Sequence, residues 1–411
     1  MANSISILLI FLLIHHQIQS SSATYTINLL TLGANPDGIT DSSSALSKAW
    51  AAACPSTSPF TIYIPKGRFL LTSLHFQGPC KNKAITVRID GTLVGPTNYN
   101  ALVDDWLLFE DVDGVSVIGG TLDGRGATLW ACKKRGDNCT SGATTLGIVK
   151  SKNVVITGLT SQNSQMFHIV INGCENVKLQ NVKILAPGNS PNTDGIHVQL
   201  STGVTIMNSK ISTGDDCVSI GPGSINLWIE NVSCGPGHGI RGRSCLYEIF
   251  RFNIKLSTRK SSIGSLGKDY DEAGVQNVTV KSVRFESTQN GVRIKAWGRP
   301  SKGFVRNVLF QHAIMTNVQN PIVIDQNYCP HNLNCPGQVS GVKISDVTYQ
   351  DIRGTSATQV AVKFDCSKGN PCQRIKMENV NLSYENRPPR ASCSNAAGSA
   401  SGLVKPTSCL Y

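Results

Sequence analysis

Two stretches decide the fold, NVVITGLTSQN at residues 153–163 and NVKLQNVKIL at residues 176–185. Each begins with a turn-forming asparagine and then alternates apolar with polar residues, which is the period of a half-buried β-strand. Six further phrases of this kind begin at Gly203, Asn226, Asn277, Asn307, Gly341 and Arg374, so successive starting positions differ by 23, 27, 23, 51, 30, 34 and 33. Such units bury their apolar side chains only by stacking, which predicts a parallel β-solenoid.

The predicted fold class is therefore all-β, with one β-helix domain spanning residues 24–411. A β-propeller is the alternative, and it is disfavoured because the units are too short for four strands each. The segment DSSSALSKAWAAAC at residues 41–54 is predicted to form an N-terminal capping helix with an Asp or Ser cap. This helix would cover the open end of the stack, which favours a monomer.

One interval departs from the others. Residues 241–261 contain six Lys or Arg, one Glu and bulky aromatic residues, whereas their flanks are rich in glycine. Removing this segment shortens the interval of 51 to 30, which equals the interval that follows. The segment is therefore predicted to be an insert within one coil and not a coil of its own.

The N-terminus has the features of a secretion signal. An apolar run at residues 6–14 precedes small residues at 20–23, so residues 1–23 are predicted to be a signal peptide. Because no Lys or Arg precedes the run, a buried N-terminal strand is the alternative. No other stretch is long enough to span a membrane. Glycosylation sequons agree with secretion and occur at Asn138, Asn231, Asn277 and Asn381.

Fourteen cysteines in a secreted chain predict disulfides. Short separations favour the pairs Cys132–Cys139, Cys217–Cys234, Cys329–Cys335 and Cys366–Cys372, and Cys54–Cys80 and Cys393–Cys409 would complete the set, although spacing leaves the connectivity open. Cys174 is predicted to be a buried thiol, and Cys245 lies unpaired in the insert. Zinc is disfavoured because the spacings are mixed and no histidine sits at ligand spacing, so no metal or other cofactor is expected.

The formal charge of +12 allows nucleic acid, a membrane surface or an acidic polymer as partner. Lys and Arg are scattered and are not interleaved with aromatic residues, which argues against nucleic acid. Secretion favours an acidic extracellular polysaccharide. A solvated basic surface explains the charge equally well, and the insert supplies +5 of it.

Three polar motifs fall about one coil apart: NTD at 192–194, GDD at 214–216 and GHG at 237–239. Asp194 and Asp216 are 22 apart in the numbering, and Asp215 and His238 are 23 apart, so stacking would place these side chains about 5 Å apart per step. Carboxylates held this close cannot all ionise easily. One of them should have a raised pKa and donate a proton, which indicates acid/base hydrolysis.

A fourth motif, RIK at 293–295, supplies cations. Arg293 and Lys295 occupy alternate positions on a predicted strand, so they project from one face and can grip a substrate carboxylate. A second RIK, at 374–376, falls in frame with a strand phrase and lacks the preceding NGV. It is interpreted as ordinary solenoid wall.

The four motifs in this order resemble the plant polygalacturonases of glycoside hydrolase family 28. The resemblance extends from LGANPDGITD, which begins at residue 32, to the last cysteine pair. It implies a right-handed parallel β-helix that is secreted to the cell wall and hydrolyses α-1,4-galacturonosyl linkages of de-esterified pectin. It further implies inversion of configuration and no metal.

The resemblance also implies residue roles. Asp215 would be the general acid, and Asp194 with Asp216 would activate water. An inverting mechanism then predicts about 6.5 to 9.5 Å between the carboxyl group of Asp215 and the other two. The remaining residues would position the site or hold substrate and its carboxylate, namely Asn192, His238, Arg293, Lys295 and, in the motif DQNY, Tyr328.

The insert is a departure from the family pattern, in which CGPGHGI runs directly into SIGSLGK and would join Ile240 to Ser262. The leading interpretation is an unspliced or wrongly annotated segment, and a genuine lid beside the cleft is the alternative. If the insert disrupts the site, the chain would be an inactive pectin-binding β-helix protein. A calcium-dependent pectate lyase is a more distant alternative.

Overall fold

The computed structural model describes residues 24–241, 264–329 and 335–411. The predicted signal peptide, residues 1–23, lies outside the described residues, as do Cys245 and the 241–261 insert beyond Arg241.

Strands dominate the described part of the chain, with two α-helices, α1 (Ser43–Ala53) and α2 (Ala127–Arg135), and 3₁₀ turns at Leu29–Leu32 and Tyr99–Ala101. In chain order the strands are β1 (Tyr25–Asn28), β2 (Asp37–Asp41), β3 (Phe60–Ile64), β4 (Arg68–Leu70), β5 (Leu74–Gln77), β6 (Ile85–Ile89), β7 (Thr92–Val94), β8 (Asp105–Glu110), β9 (Val115–Ile118), β10 (Thr121–Asp123), β11 (Thr144–Val149), β12 (Lys152–Thr157), β13 (Thr160–Gln162), β14 (Ile169–Asn172), β15 (Glu175–Gln180), β16 (Lys183–Leu185), β17 (Ile196–Gln199), β18 (Thr202–Ser212), β19 (Asp216–Ile220), β20 (Ile225–Cys234), β21 (Gly239–Arg241), β22 (Gly264–Leu266), β23 (Val275–Lys281), β24 (Arg284–Glu286), β25 (Asn290–Trp297), β26 (Phe304–Gln311), β27 (Ile314–Val318), β28 (Asn320–Tyr328), β29 (Lys343–Gln350), β30 (Arg353–Ser356), β31 (Val360–Asp365), β32 (Cys372–Glu378), β33 (Asn381–Tyr384), β34 (Arg390–Ser394) and β35 (Ala396–Ser401).

These strands stack as a right-handed parallel β-helix, which confirms the predicted fold class. Most strands form a curled 23-stranded sheet, called sheet A, and the other 12 form sheet B, in which the order is β34-β31-β28-β25-β21-β19-β17-β14-β11-β8-β5, with β22 beside β25. Inward positions align from coil to coil. One buried ladder in sheet A contains Val154, Val177, Val204, Leu227, Val278, Val308, Val347 and Ile375.

The asparagines that begin the repeated phrases lie at a corner of each coil. Asn153, Asn176 and Asn277 have φ between 52 and 57°, the left-handed region that asparagine tolerates better than most residues. Their side chains also form ladders, in which Asn176 Nδ2 donates to Asn153 Oδ1 at 2.7 Å. The sequence predicted these corner positions correctly because asparagine both tolerates the left-handed backbone conformation and provides the side-chain amide that forms the ladder.

The phrase predicted to begin at Gly341 was placed wrongly. Val347 lies opposite Val308, so the corner residue of this coil is Asp346, with φ 56°. The true corners are therefore Asn307, Asp346 and Arg374, and the predicted intervals of 34 and 33 become 39 and 28. Asp occupies the left-handed region as Asn does, and a glycine before an apolar residue was mistaken for it.

Helix α1 covers the first coil, as predicted. Its N-cap residue is Ser42, which makes no side-chain capping hydrogen bond, and Asp41 Oδ1 accepts from the Ser43 N–H at 3.0 Å. Its buried face includes Leu46 and Trp50, and the indole of Trp50 packs 5.2 Å from the ring of Phe76. The helix thus seals the apolar end of the stack.

All six predicted disulfides are formed, and Cys174 is the free cysteine of the described residues. Burial raises the pKa of the Cys174 thiol to about 11, so it is inert, as predicted for a small apolar side chain.

The asparagines of all four sequons are exposed. Neither α1 nor α2 has the length and apolar character that a membrane crossing would require.

Candidate active site

The GDD motif forms the start of a strand on sheet B. Gly214 closes the preceding turn, where its N–H donates to Thr193 Oγ1 at 3.0 Å. A Cβ at Gly214 would lie 2.0 Å from the carbonyl oxygen of Ser190, so only glycine fits. This tight approach brings Asp215 and Asp216 to the N-terminal end of β19, where Asp215 Oδ1 accepts from the Asp216 N–H at 2.8 Å.

His238 lies one coil further along the stack. Its N–H donates to the carbonyl oxygen of Asp215 at 2.8 Å, and its Nδ1 is hydrogen-bonded to Asp215 Oδ1 at 3.0 Å. The side chain of Asp215 is 2% exposed and that of His238 is 30% exposed. The imidazole therefore stands between solvent and the buried carboxyl group.

The backbone of the GHG motif is fixed by its glycines. Gly239 has φ 87°, and a Cβ there would lie 1.9 Å from the carbonyl oxygen of Asn290. Asn290 Nδ2 in turn donates to the carbonyl oxygen of His238 at 3.2 Å. Both contacts hold His238 against the start of β25, so the three elements that carry the site cannot move independently.

Asp194 lies one coil before Asp216 and is buried. The adjacent coils are joined here by the Gly195 N–H, which donates to the carbonyl oxygen of Asp216 at 2.8 Å. Asn192 lies two residues earlier in the same turn and has φ 58°. The predicted stacking of NTD, GDD and GHG on three successive coils is therefore present.

Asp215, Asp216 and His238 form the tightest cluster, in which one side-chain atom of each lies within 4.8 Å of the others. This limit applies to the nearest side-chain atoms. The separation of about 6.5 to 9.5 Å between the carboxyl group of Asp215 and those of Asp194 and Asp216 therefore stays a prediction. The same three groups could geometrically hold a divalent cation, so a chelator must be part of any activity test.

The cations of the RIK motif lie on the face of β25 that is opposite the core. Val292 and Ile294 point into the core, so Arg293 and Lys295 point the other way, where Lys295 is fully buried. Arg293 is 14% exposed and its Nη2 lies 2.6 Å from Asp325 Oδ2.

Tyr328, at the end of β28, lies beneath both cations of the RIK motif. Its ring is 4.1 Å from the Lys295 ammonium and 5.4 Å from the Arg293 guanidinium carbon. Tyr328 therefore belongs to the same constellation as Arg293 and Lys295, and its place in a substrate subsite stays a prediction.

Two residues of this constellation were missed from the sequence. Asp325 pairs with Arg293, and Trp297 packs edge-on against Tyr328 at 5.5 Å. Asp325 belongs to the quoted DQNY motif and Trp297 follows RIK on the same strand, so both were next to recognised residues. The second RIK is confirmed as wall, because Arg374 lies on β32 of sheet A and pairs with Asp346 at 2.6 Å.

The geometry places an acid cluster and a cationic clamp on one sheet. Ile240 pairs with Val292, so the coil that carries His238 is adjacent to the coil that carries Arg293. Asp216 on β19 is thus two coils from the clamp on β25, or about 10 Å along the helix axis. Arg293 and Lys295 also lie beyond the position of β25 that is opposite Asp216, so a ligand that bridges both groups must be extended and carry a negative charge near the clamp.

Comparison with known proteins identifies the family. The family model described as glycosyl hydrolases family 28 matches residues 54–244 and 260–409. The unmatched gap, 245–259, falls inside the predicted insert.

Relatives match over nearly the whole chain. A polygalacturonase of Prunus persica is 59% identical, with all of both chains covered, and an exopolygalacturonase of Platanus acerifolia is 43% identical over 95% of this chain and 98% of the relative. The crystal structure of an endo-xylogalacturonan hydrolase from Aspergillus tubingensis shares the fold, with a TM-score of 0.75 and 22% identity over 93% of this chain and all of that one. Together with the family model, these matches show that the chain belongs to glycosyl hydrolases family 28.

Proposed function

We propose that this protein hydrolyses α-1,4-galacturonosyl linkages in de-esterified pectin by an inverting acid/base mechanism. The observation that carries the proposal is that the clamp of Arg293 and Lys295 lies on the same sheet as the cluster of Asp215, Asp216 and His238, two coils away. The relatives from Prunus persica and Platanus acerifolia, which bear the names polygalacturonase and exopolygalacturonase, support the same substrate. Each sugar of such a polymer carries a carboxylate, which the clamp would bind.

Asp215 is the proposed general acid. It would transfer its proton to the glycosidic oxygen as the bond between that oxygen and the anomeric carbon breaks. Asp194 and Asp216 would accept a proton from a water molecule that attacks the anomeric carbon from the opposite side. The water oxygen forms the new bond, the leaving sugar gains a hydroxyl group, and the configuration inverts.

His238 and the clamp are proposed to position the sugar rings around the broken bond. His238 is hydrogen-bonded to Asp215 and is partly exposed, so it can contact both the acid and the substrate. Arg293 and Lys295 would bind a uronate carboxylate, with Tyr328 as the platform and Asp325 orienting the guanidinium. Asn192 would help to position the opposite side of the site.

The hydrolase is favoured over an inactive pectin-binding protein, since every predicted acidic residue is in place in the described structure and the family match is continuous on both sides of the insert.

We also propose that the protein acts as a monomer outside the cell, in the cell wall. The capped first coil supports the monomer, and the six disulfides support an oxidising compartment.

The test is the release of reducing ends from polygalacturonate, with Asp215→Asn as the variant. The variant is expected to lose a factor of about 10² to 10⁴ in kcat, the range for removal of a general acid, with its thermal unfolding unchanged. Activity should persist in EDTA, and no product should absorb in the near ultraviolet. Full activity of the variant would refute the role of Asp215, and an unsaturated product would indicate a lyase instead.

A further inference from the structure

A second groove lies on sheet A, whereas the catalytic residues lie on sheet B. It has a volume of about 840 Å³ and follows the corner where six successive coils bend. Five steps between stacked strands make it roughly 24 Å long. The residues that line it are Asn208, Ser209, Lys210, Asn231, Val232, Ser233, Ser282, Val283, Arg284, His312, Ile314, Asp351, Arg353, Asn379 and Asn381.

The cations of this groove stand in one row. The ladder runs from Lys210 through Ser233 to Arg284, and from Arg284 through Ile314 to Arg353. Lys183 extends the row by one coil, because it lies directly opposite Lys210. All four cations are exposed, and none forms an ion pair with a described residue.

This row differs from parts of the same sheet where outward cations have acidic partners. Lys152 pairs with Glu175 at 2.8 Å and Arg374 with Asp346 at 2.6 Å. Like charges on neighbouring strands repel one another, and no carboxylate stands in the row between Lys183 and Arg353 to reduce that repulsion.

The groove contains one acidic residue, Asp351, which lies 3.4 Å from His312. The lining is otherwise positive or neutral. Asn231 Nδ2 donates to Asn208 Oδ1 at 2.8 Å, and the exposed asparagines keep further donor and acceptor positions for sugar hydroxyls. A ligand that fits must be extended, anionic at regular intervals and rich in hydroxyl groups. Those are the properties of a polyuronate chain.

We propose that this groove binds a stretch of polygalacturonate without cleaving it. The inference rests on polygalacturonate being the substrate of the catalytic site. A chain held at both sites would keep the enzyme on its polymer, because the second contact raises the local substrate concentration. Oligomers too short to reach both sites would gain nothing.

The test compares two triple variants that each remove three positive charges. The groove variant is Lys210→Gln/Arg284→Gln/Arg353→Gln. The matched control removes three exposed lysines away from the groove, Lys48→Gln/Lys81→Gln/Lys178→Gln. Because sequons at Asn231 and Asn381 line the groove, all proteins are first treated with an endoglycosidase. Each is assayed on polygalacturonate and on trigalacturonate, and retention on immobilised polygalacturonate is measured in the Asp215→Asn background.

The groove variant should show about tenfold weaker retention and a similarly raised KM on the polymer, since each exposed ion pair contributes a factor of a few. Its kcat/KM on trigalacturonate should equal that of the parent, and the control should change less than twofold in every assay. Retention equal to that of the control would overturn the proposal. An equal loss of binding to dextran sulfate would also overturn it, because the surface would then bind any polyanion. If the parent releases no reducing ends from polygalacturonate, the catalytic proposal fails instead, whatever the retention.

Discussion

The two RIK motifs of this chain allow a controlled test of the clamp. Arg293 and Arg374 each pair with an aspartate at 2.6 Å, but Arg293 is 14% exposed on sheet B and Arg374 is 60% exposed on sheet A. In the proposed complex, Arg293→Gln would remove a charge-assisted hydrogen bond to the substrate carboxylate, a contact of about 1.5 to 3 kcal/mol. The expected loss in kcat/KM on polygalacturonate is therefore roughly 10- to 150-fold. Arg374→Gln should leave kcat/KM unchanged and cost at most about 1 kcal/mol of stability.

The structure also predicts that part of this loss in kcat/KM comes from Asp325. Arg293→Gln leaves the carboxylate of Asp325 without its 2.6 Å partner, directly beside the place where the substrate carboxylate would bind. Adding Asp325→Asn to Arg293→Gln should therefore restore part of the lost affinity, visible as a lower KM at unchanged kcat. The kinetics require initial rates of reducing-end release at several substrate concentrations, with thermal unfolding of each variant as the folding control. Equal losses for Arg293→Gln and Arg374→Gln would refute the clamp.

Two further predictions concern pH and the insert. Burial, with Asp104 and Glu110 nearby, raises the pKa of Asp105 to about 7 from an ordinary 3.8. The folded state therefore binds this proton more tightly than the unfolded state. The resulting contribution to the free energy of unfolding is fully present below about pH 4 and is lost as the pH rises to 7. The change amounts to up to about 4 kcal/mol. Asp105→Asn should remove that decline, measured as urea unfolding at pH 4, 6 and 8, and an unchanged decline would contradict the assignment to Asp105. The chain without residues 241–261 should fold and release reducing ends at least as fast as the full chain, and its failure to do either would show that the insert is required.

The sequence predicted the β-helix well because each coil repeats the same physical demands. Every coil needs inward apolar residues at alternating positions and a residue that tolerates the left-handed corner, so eight weak patterns reinforce one another. The disulfides followed from the same order, since cysteines near in sequence meet within one turn or between neighbouring turns. The NTD, GDD and GHG motifs were recognised because their spacing is close to one coil.

The sequence was less informative wherever residues of different coils had to be aligned individually. The corner at Asp346 was missed because Gly, Asn and Asp all satisfy it. Asp325 was missed because its role depends on lying opposite β25. Asp325 and Arg293 are far apart along the chain, so the sequence does not reveal that they pair. The row from Lys210 to Arg353 was missed for the same reason, as intervals of unequal length hide it.

Strand register gives the strongest argument about the insert. In the ladder with β25, Ile240 lies opposite Val292 and Gly264 lies opposite Lys295. Two positions of β25, Arg293 and Ile294, separate those partners, and joining Ile240 directly to Ser262 leaves two residues, Ser262 and Ile263, to face them. In the shortened chain Ile263 would therefore meet the buried Ile294 on the inward side, as strand alternation requires. A join that was one residue longer or shorter would place Ser262 or Gly264 there, so the register favours a continuous strand beside the clamp as the working form of this coil.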